Sequence, residues 1–154
     1  MLPKTHAILG IIFSIVVFFI FNISIFQTLL IFFASFLIDF DHYMWYVYKK
    51  NEYSVKKAYF WFKGKRKKWF NLSKKERDKY KRPFLVFHSI EFWIILVLLS
   101  FINKIFLFIL IGVLFHMTID YIEIFRIKER FYPKFSLLWV FIKNEDKPHF
   151  LLFK

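Results

Sequence analysis

AILGIIFSIVVFFIFNISIFQTLLIFFASFLI, residues 7 to 38, carries no ionisable side chain. One membrane-spanning helix needs about 20 apolar residues to cross a hydrocarbon core of about 30 Å. This run is too long for one such helix. Asn22-Ile23-Ser24 interrupts it near the middle with residues that suit a turn. The stretch therefore predicts a tight helical hairpin, Ala7 to Phe21 and Ile25 to Ile38. Each strict apolar core reaches only roughly 22 Å at ~1.5 Å per residue. Spanning then requires Thr5 and His6 at one end, and Asp39 to Tyr48 at the other, to continue the helices. Tyr43 to Tyr48 adds an aromatic belt of the kind found at membrane interfaces.

The same pattern recurs further on. Phe84 to Ile102 and Ile105 to Phe125 predict a second hairpin, turned at Asn103-Lys104. The expected fold class is all-α: a four-helix transmembrane bundle made of two helical hairpins, in a single membrane domain over residues 1–154. Hairpin 1 covers 1–48, a basic cytoplasmic loop 49–82, hairpin 2 83–125, and an interfacial tail 126–154. In that tail Phe135 to Ile142 is too short to span and lies between Pro133 and Pro148, which suits an interfacial helix. Lys4 followed by an apolar run reads as an uncleaved first helix, because no small-residue cleavage site follows it.

Composition agrees with a membrane class. The chain is 58% hydrophobic and 25% aromatic, with 25 Phe. It has no Cys, which excludes disulfides, Cys-zinc sites and a thiol nucleophile. Lys outnumbers Arg 19 to 5, and Phe, Ile and Lys are abundant, a bias that suits AT-rich coding. The charge is concentrated: residues 49–82 hold 15 Lys or Arg against Glu52, Glu76 and Asp78, or +12 of the net +13. Such a segment must lie outside the hydrocarbon, and the positive-inside rule makes it cytoplasmic, with both termini on the same side of the inner or plasma membrane. Its plainest role is to set topology. Its lysines, interleaved with Trp61, Trp69 and several Tyr, also suit membrane lipids with anionic headgroups. Nucleic acid is the less favoured partner.

Against this apolar background the ionisable residues stand out. His6, Asp39, Asp41, His42, His88, Glu91, His116 and Asp120 all fall toward the cytoplasmic ends of the expected helices. Ionisable groups inside apolar segments are costly and need partners. Asp39 with His42, and His88 with Glu91, are spaced i, i+3, and His116 with Asp120 i, i+4, so each set is expected on one helical face. Taken singly each has an ordinary reading: His6 as an interfacial polar residue, Asp41-His42 as a helix boundary, Glu91, Asp120 and Glu123 as partners of lysines or Arg126. Four of the five histidines at one level of four helices point instead to a divalent metal site of one or two ions, Zn first, Mn or Fe also compatible with imidazole and carboxylate ligands. His149, in a polar tail, is not expected to ligate.

The motifs resemble a known family. Thr5-His6, Ile38-Asp39-Phe40-Asp41-His42, Phe87-His88-Ser89 and Phe115-His116-Met117-Thr118-Ile119-Asp120 are similar to the ordered boxes of the inner-membrane metal-dependent hydrolases, themselves considered similar to zinc-dependent phospholipase C. The resemblance covers residues 5 to 120. It implies His6, Asp39, Asp41, His42, His88, His116 and Asp120 as metal-binding or catalytic positions. Many members carry an H-R-G-x-T-H-S stretch; here Pro83 to Ser89 keeps only its final His-Ser, and Glu91 is the expected replacement for the missing His.

The leading expectation is a membrane-embedded hydrolase of a lipid-type phosphoester or ester at the inner interface. Its ligands would be His6, His42, His88, His116 and Asp120, with Asp39, Asp41 or Glu91 as further ligand or base. Two alternatives stand beside it. One is a di-iron-type membrane oxidoreductase, which the His-x-x-Glu of residues 88–91 resembles without the Glu-x-x-His motif. The other is a non-enzymatic membrane adaptor with a structural metal site.

Overall fold

The computed structural model describes residues 3–80, 83–126 and 136–144, and every regular element among them is a helix. Eight helices follow in chain order: α1 Pro3–Phe21, α2 Ile25–Leu37, α3 Phe40–Lys50, α4 Val55–Asn71, α5 Lys74–Arg77, α6 Ile90–Ile102, α7 Ile105–Arg126 and α8 Leu137–Asn144. Two compact units result, Met1–Asp39 with Ile90–Glu123 and Phe40–Ser89 with Ile124–Lys154.

The first unit is built inside out relative to a water-soluble bundle. On α1 the buried residues are His6, Gly10, Ser14 and Val17, a face of small and polar side chains. Ile8, Ile11, Ile12, Ile15, Phe19 and Ile20 point outward. Lipid tails solvate such side chains as well as a core does, so membrane helices meet through small residues instead. The glycines show this. A Cβ on Gly10 would overlap Ser35 Oγ, and one on Gly112 would overlap the backbone oxygen of Ile31 and crowd Ala34. Phe13 of α1 stacks on Phe115 of α7 with ring centroids 3.9 Å apart. Among the described residues three helical stretches are long and apolar enough to cross a membrane: Pro3–Phe21, Ile25–Lys50, which takes in α2 and α3, and Ile105–Arg126.

The expected turns are present. Asn22 takes a left-handed φ of 50° after α1, and Ser24 and Gln27 form a reciprocal capping box that starts α2. Asn103 caps α7 by accepting from the amide of Ile105 at 2.9 Å. The apolar continuity of residues 25–48 hides a break: Ile38 and Asp39 form a turn, so Asp39 precedes α3 and does not share its helix with His42. The expected third span is likewise shorter than Phe84 to Ile102. Residues 83–89 are not helical, and α6 has 13 residues, or ~20 Å at ~1.5 Å each. Three hydrogen bonds hold this segment out of the helix: Ser89 donates from both its amide and its hydroxyl to Val86 O, and the Phe87 amide donates to Asp41.

The second unit corrects the reading of 49–82 as a loop. Most of it is helix. Ser54 caps α4 by accepting from the Lys57 amide. Ser73 and Glu76 form a capping box at α5, in which the Glu76 carboxylate accepts from the Ser73 amide at 2.7 Å. The Ser73 side chain, and after it the Ser73 amide, hold Glu76 below the ordinary carboxylate range. Against α3, Ala58 is buried, Trp61 meets Tyr46 edge-on at 5.4 Å, and Phe62 meets His42 at 5.5 Å. Of the tail, Arg126 and residues 136–144 are described. Ser136 caps α8 through the Trp139 amide, while Phe135, Pro133, Pro148 and His149 lie outside the described residues.

Two of the three helical glycines, Gly112 and Gly64, give opposite expectations. Gly112→Ala places a methyl against backbone that cannot swing away and destabilises the protein by about 1–3 kcal/mol. Gly64, on α4, has nothing within 4 Å of its added Cβ, so Gly64→Ala stabilises by up to about 1 kcal/mol through helix propensity. Thermal unfolding of both variants in detergent checks the signs.

Candidate metal centre

Asp39 ends the first unit's N-terminal segment. His6 comes from the first turns of α1, and His116 and Asp120 from successive turns of α7. One ligand atom from each of His6, Asp39 and His116 lies within 4.8 Å of the other two, a group that could hold a metal ion. Asp120 closes on the same histidines: Oδ1 is 3.3 Å from His6 Nε2, and Oδ2 is 3.9 Å from His116 Nε2. Asp39 Oδ1 is 3.7 Å from His116 Nε2. A tetrahedral site with Zn–N of ~2.0–2.1 Å has ligand–ligand edges of roughly 3.3–3.4 Å. These separations are close to such edges.

Both histidines are wholly buried, while Asp39 and Asp120 keep side-chain exposures of 10% and 13%. The imidazoles stack, centroids 3.8 Å apart and 16° from parallel. His116 Nδ1 lies 2.8 Å from the backbone oxygen of Ser35. A carbonyl only accepts, so Nδ1 carries the proton and Nε2 bears the lone pair. The close approach of α7 to α2 at Gly112 brings this ring to that carbonyl. A histidine ligand is ordinarily fixed in this way, its second nitrogen donating to a carbonyl or carboxylate. His6 Nδ1 is buried and finds no hydrogen-bond partner among the described residues. Leaving a buried polar atom unsatisfied costs about 1–3 kcal/mol, so this ring asks for a partner.

The second unit holds Asp41, His42 and His88. Asp41 is buried at the start of α3, where one oxygen, Oδ2, accepts both from the Phe87 amide at 3.1 Å and from His88 Nδ1 at 3.0 Å. Carboxylate again fixes tautomer: His88 Nδ1 carries the proton, and Nε2 bears the lone pair. Asp41 Oδ1 is buried with no hydrogen-bond partner among the described residues. His42 lies edge-on to His88, centroids 5.1 Å apart.

Glu91 stands in the first turn of α6. His88 precedes that helix, so the i, i+3 relation expected between them does not arise from a shared helical face. Ser35 is the residue that the sequence did not single out. A serine in an apolar run gives no sign that its backbone oxygen, not its hydroxyl, anchors a histidine.

No family model matches the chain, and no curated protein and no solved structure matches it.

Proposed function

We propose that this chain is a membrane-embedded, metal-dependent hydrolase that cleaves a phosphate-bearing, lipid-type ester at the inner membrane interface. The carrying observation is the convergence of His6, Asp39, His116 and Asp120 in a protein whose described residues are helical and include three stretches of membrane-crossing length. In this reading the chain is a four-helix bundle of two hairpins, with 49–82 and both termini cytoplasmic.

The donor set suits Zn, Mn or Fe. His6 and His116 supply neutral imidazole nitrogens, with the Ser35 carbonyl orienting His116. Asp39 and Asp120 supply carboxylate oxygens and neutralise positive charge in a poorly solvated place. A divalent ion held there would supply Lewis acidity and would lower the pKa of a water, the ordinary chemistry of metal hydrolases. The small solvent exposure of Asp39 and Asp120 makes them the groups placed to pass a proton to or from the interface. Asp41 holds His88 and the 83–89 segment, so its role in this reading is to position, with His42 and His88 as further nitrogen donors in the second unit.

Two measurements test the reading. Protein purified without added chelator should contain a stoichiometric divalent metal. After reconstitution it should hydrolyse at least one member of a phospholipid panel, with activity removed by chelation and restored by the metal. Redox-active iron with no hydrolysis would favour the oxidoreductase instead. Bound metal without activity on any substrate would favour the adaptor.

A further inference from the structure

The second unit carries a feature that the proposed catalytic residues do not use. The aromatic side of α4 is turned to α3, and its other side is basic. Lys56, Phe60, Lys63 and Lys67 recur at i, i+4, i+7 and i+11, one stripe of the helix. All four are exposed, Phe60 at 58%. Gly64 opens the same stripe, with nothing near it. Lys57 is not part of this set, because its ammonium bonds the Glu52 carboxylate at 2.7 Å. That pairing raises the Lys57 pKa and lowers that of Glu52. Behind the stripe, Lys65 is pushed below the ordinary lysine range, first by burial and then by repulsion from Lys68 and Lys50. Residues 49–82 around α4 carry 15 Lys or Arg against three acidic residues, so the segment is strongly basic.

We propose that this outward stripe of α4 is a docking surface for the anionic phospholipid headgroups of the bilayer that the chain spans. Charge complementarity is the first argument. Chain continuity is the second. α3 ends at Lys50, the end of the candidate span Ile25–Lys50, and α4 begins at Val55. The connection reaches roughly 18 Å at full extension. It is drawn in further by the Tyr43 hydroxyl, which donates to Tyr53 O at 2.6 Å, and by the packing of Trp61 and Phe62 on α3. The stripe is thus tethered close to a membrane surface. Phe60 is the third argument. An exposed phenyl among lysines gains by entering the acyl boundary, as amphipathic surface helices do. A purely phosphate-tracking surface has no use for it. The inference does not depend on hydrolase activity.

The test uses the full chain. It has no cysteine, so Gly64→Cys gives one labelling site on the stripe, at a position where a side chain fits. The protein carries an environment-sensitive fluorophore there. It is reconstituted into vesicles of phosphatidylcholine alone, or of phosphatidylcholine mixed equally with phosphatidylglycerol. The expected result is a blue shift in the mixed vesicles only, reversed near 1 M salt, where the screening length falls to about 3 Å. Each lysine contributes about fivefold near an anionic surface, so Lys56→Gln, Lys63→Gln and Lys67→Gln together weaken the lipid preference roughly a hundredfold. Phe60→Ser gives a smaller blue shift, and what remains of it is still reversed by salt. An unshifted label in mixed vesicles overturns the proposal. So does a triple variant indistinguishable from the parent, or a short DNA duplex that displaces the label from mixed vesicles at matched phosphate concentration. Circular dichroism of each variant confirms that α4 is folded, and Lys57→Gln serves as a variant off the stripe that should leave the shift unchanged.

Discussion

His6→Phe should remove the proposed metal and leave the fold standing. The His6 ring is wholly buried and stacks on His116 at 3.8 Å. A phenyl of similar shape keeps that stack and supplies no lone pair. It also removes His6 Nδ1, a buried polar atom with no hydrogen-bond partner among the described residues, so the change in stability should stay within about 1.5 kcal/mol. Loss of an outer-shell partner costs 10–100-fold in metal affinity, and loss of a ligand should cost on the order of a hundredfold or more. His116→Ala should reach the same metal loss by a harsher route. It opens a cavity and deprives the Ser35 carbonyl of its donor, adding a stability cost of about 1–3 kcal/mol. The informative comparison is metal content per folded protein, by elemental analysis beside a melting curve. Full metal occupancy in both variants would sink the assignment. Metal loss that appears only in the variant that melts early would show that packing, not ligation, makes these rings important.

How much of this was legible in the sequence differs from one element to the next. The turns at Asn22 and Asn103 were readable because polar residues interrupt long apolar runs. The shared face of His116 and Asp120 was readable because both lie within one uninterrupted helix, where i, i+4 is geometry. Asp39 with His42 has an equally regular spacing but fails as a helical relation, since the chain turns at Ile38–Asp39. Hydropathy gives no sign of that turn. His88 shows the same limit. Pro83 to Phe87 is apolar enough to extend α6, and only an acceptor 46 residues earlier, Asp41, takes the Phe87 amide out of the helical pattern. Long-range hydrogen bonds of this kind leave no local trace. The helix α4 is a different case. Its signals were present, in Ser54 as a cap and in the spacing of Ala58, Trp61, Phe62 and Trp69. The density of lysines made the segment look like a solvated loop. The inverted burial of α1 follows the same logic: Gly10 and Ser14 look unremarkable until a bundle in lipid needs its small residues inside.

Asp41→Ala should be the most destabilising single change in the second unit. The carboxylate is 5% exposed, and its Oδ2 serves two donors, the Phe87 amide and His88 Nδ1. His88 is itself 3% exposed, so water cannot readily replace the lost acceptor. Stranding a buried donor costs about 1–3 kcal/mol, and two of them bring the expected loss to about 3 kcal/mol. The loss should be local first. Residues 83–89 have no helical hydrogen bonds to fall back on, so limited proteolysis and amide exchange should report that segment opening before α6 or α7. Asp41→Asn separates charge from shape. Both donors converge on Oδ2, so the amide oxygen placed there keeps both bonds as a neutral, weaker acceptor, and the NH2 group takes the place of Oδ1, which no donor among the described residues faces. Asp41→Asn should therefore keep residues 83–89 closed, lose less stability than Asp41→Ala, and leave the His88 proton on Nδ1. Nitrogen NMR shifts of the histidine ring read that tautomer directly. Unchanged exchange at 83–89 in Asp41→Ala, or a His88 proton moved to Nε2 in Asp41→Asn, would show that this acceptor does not hold the segment.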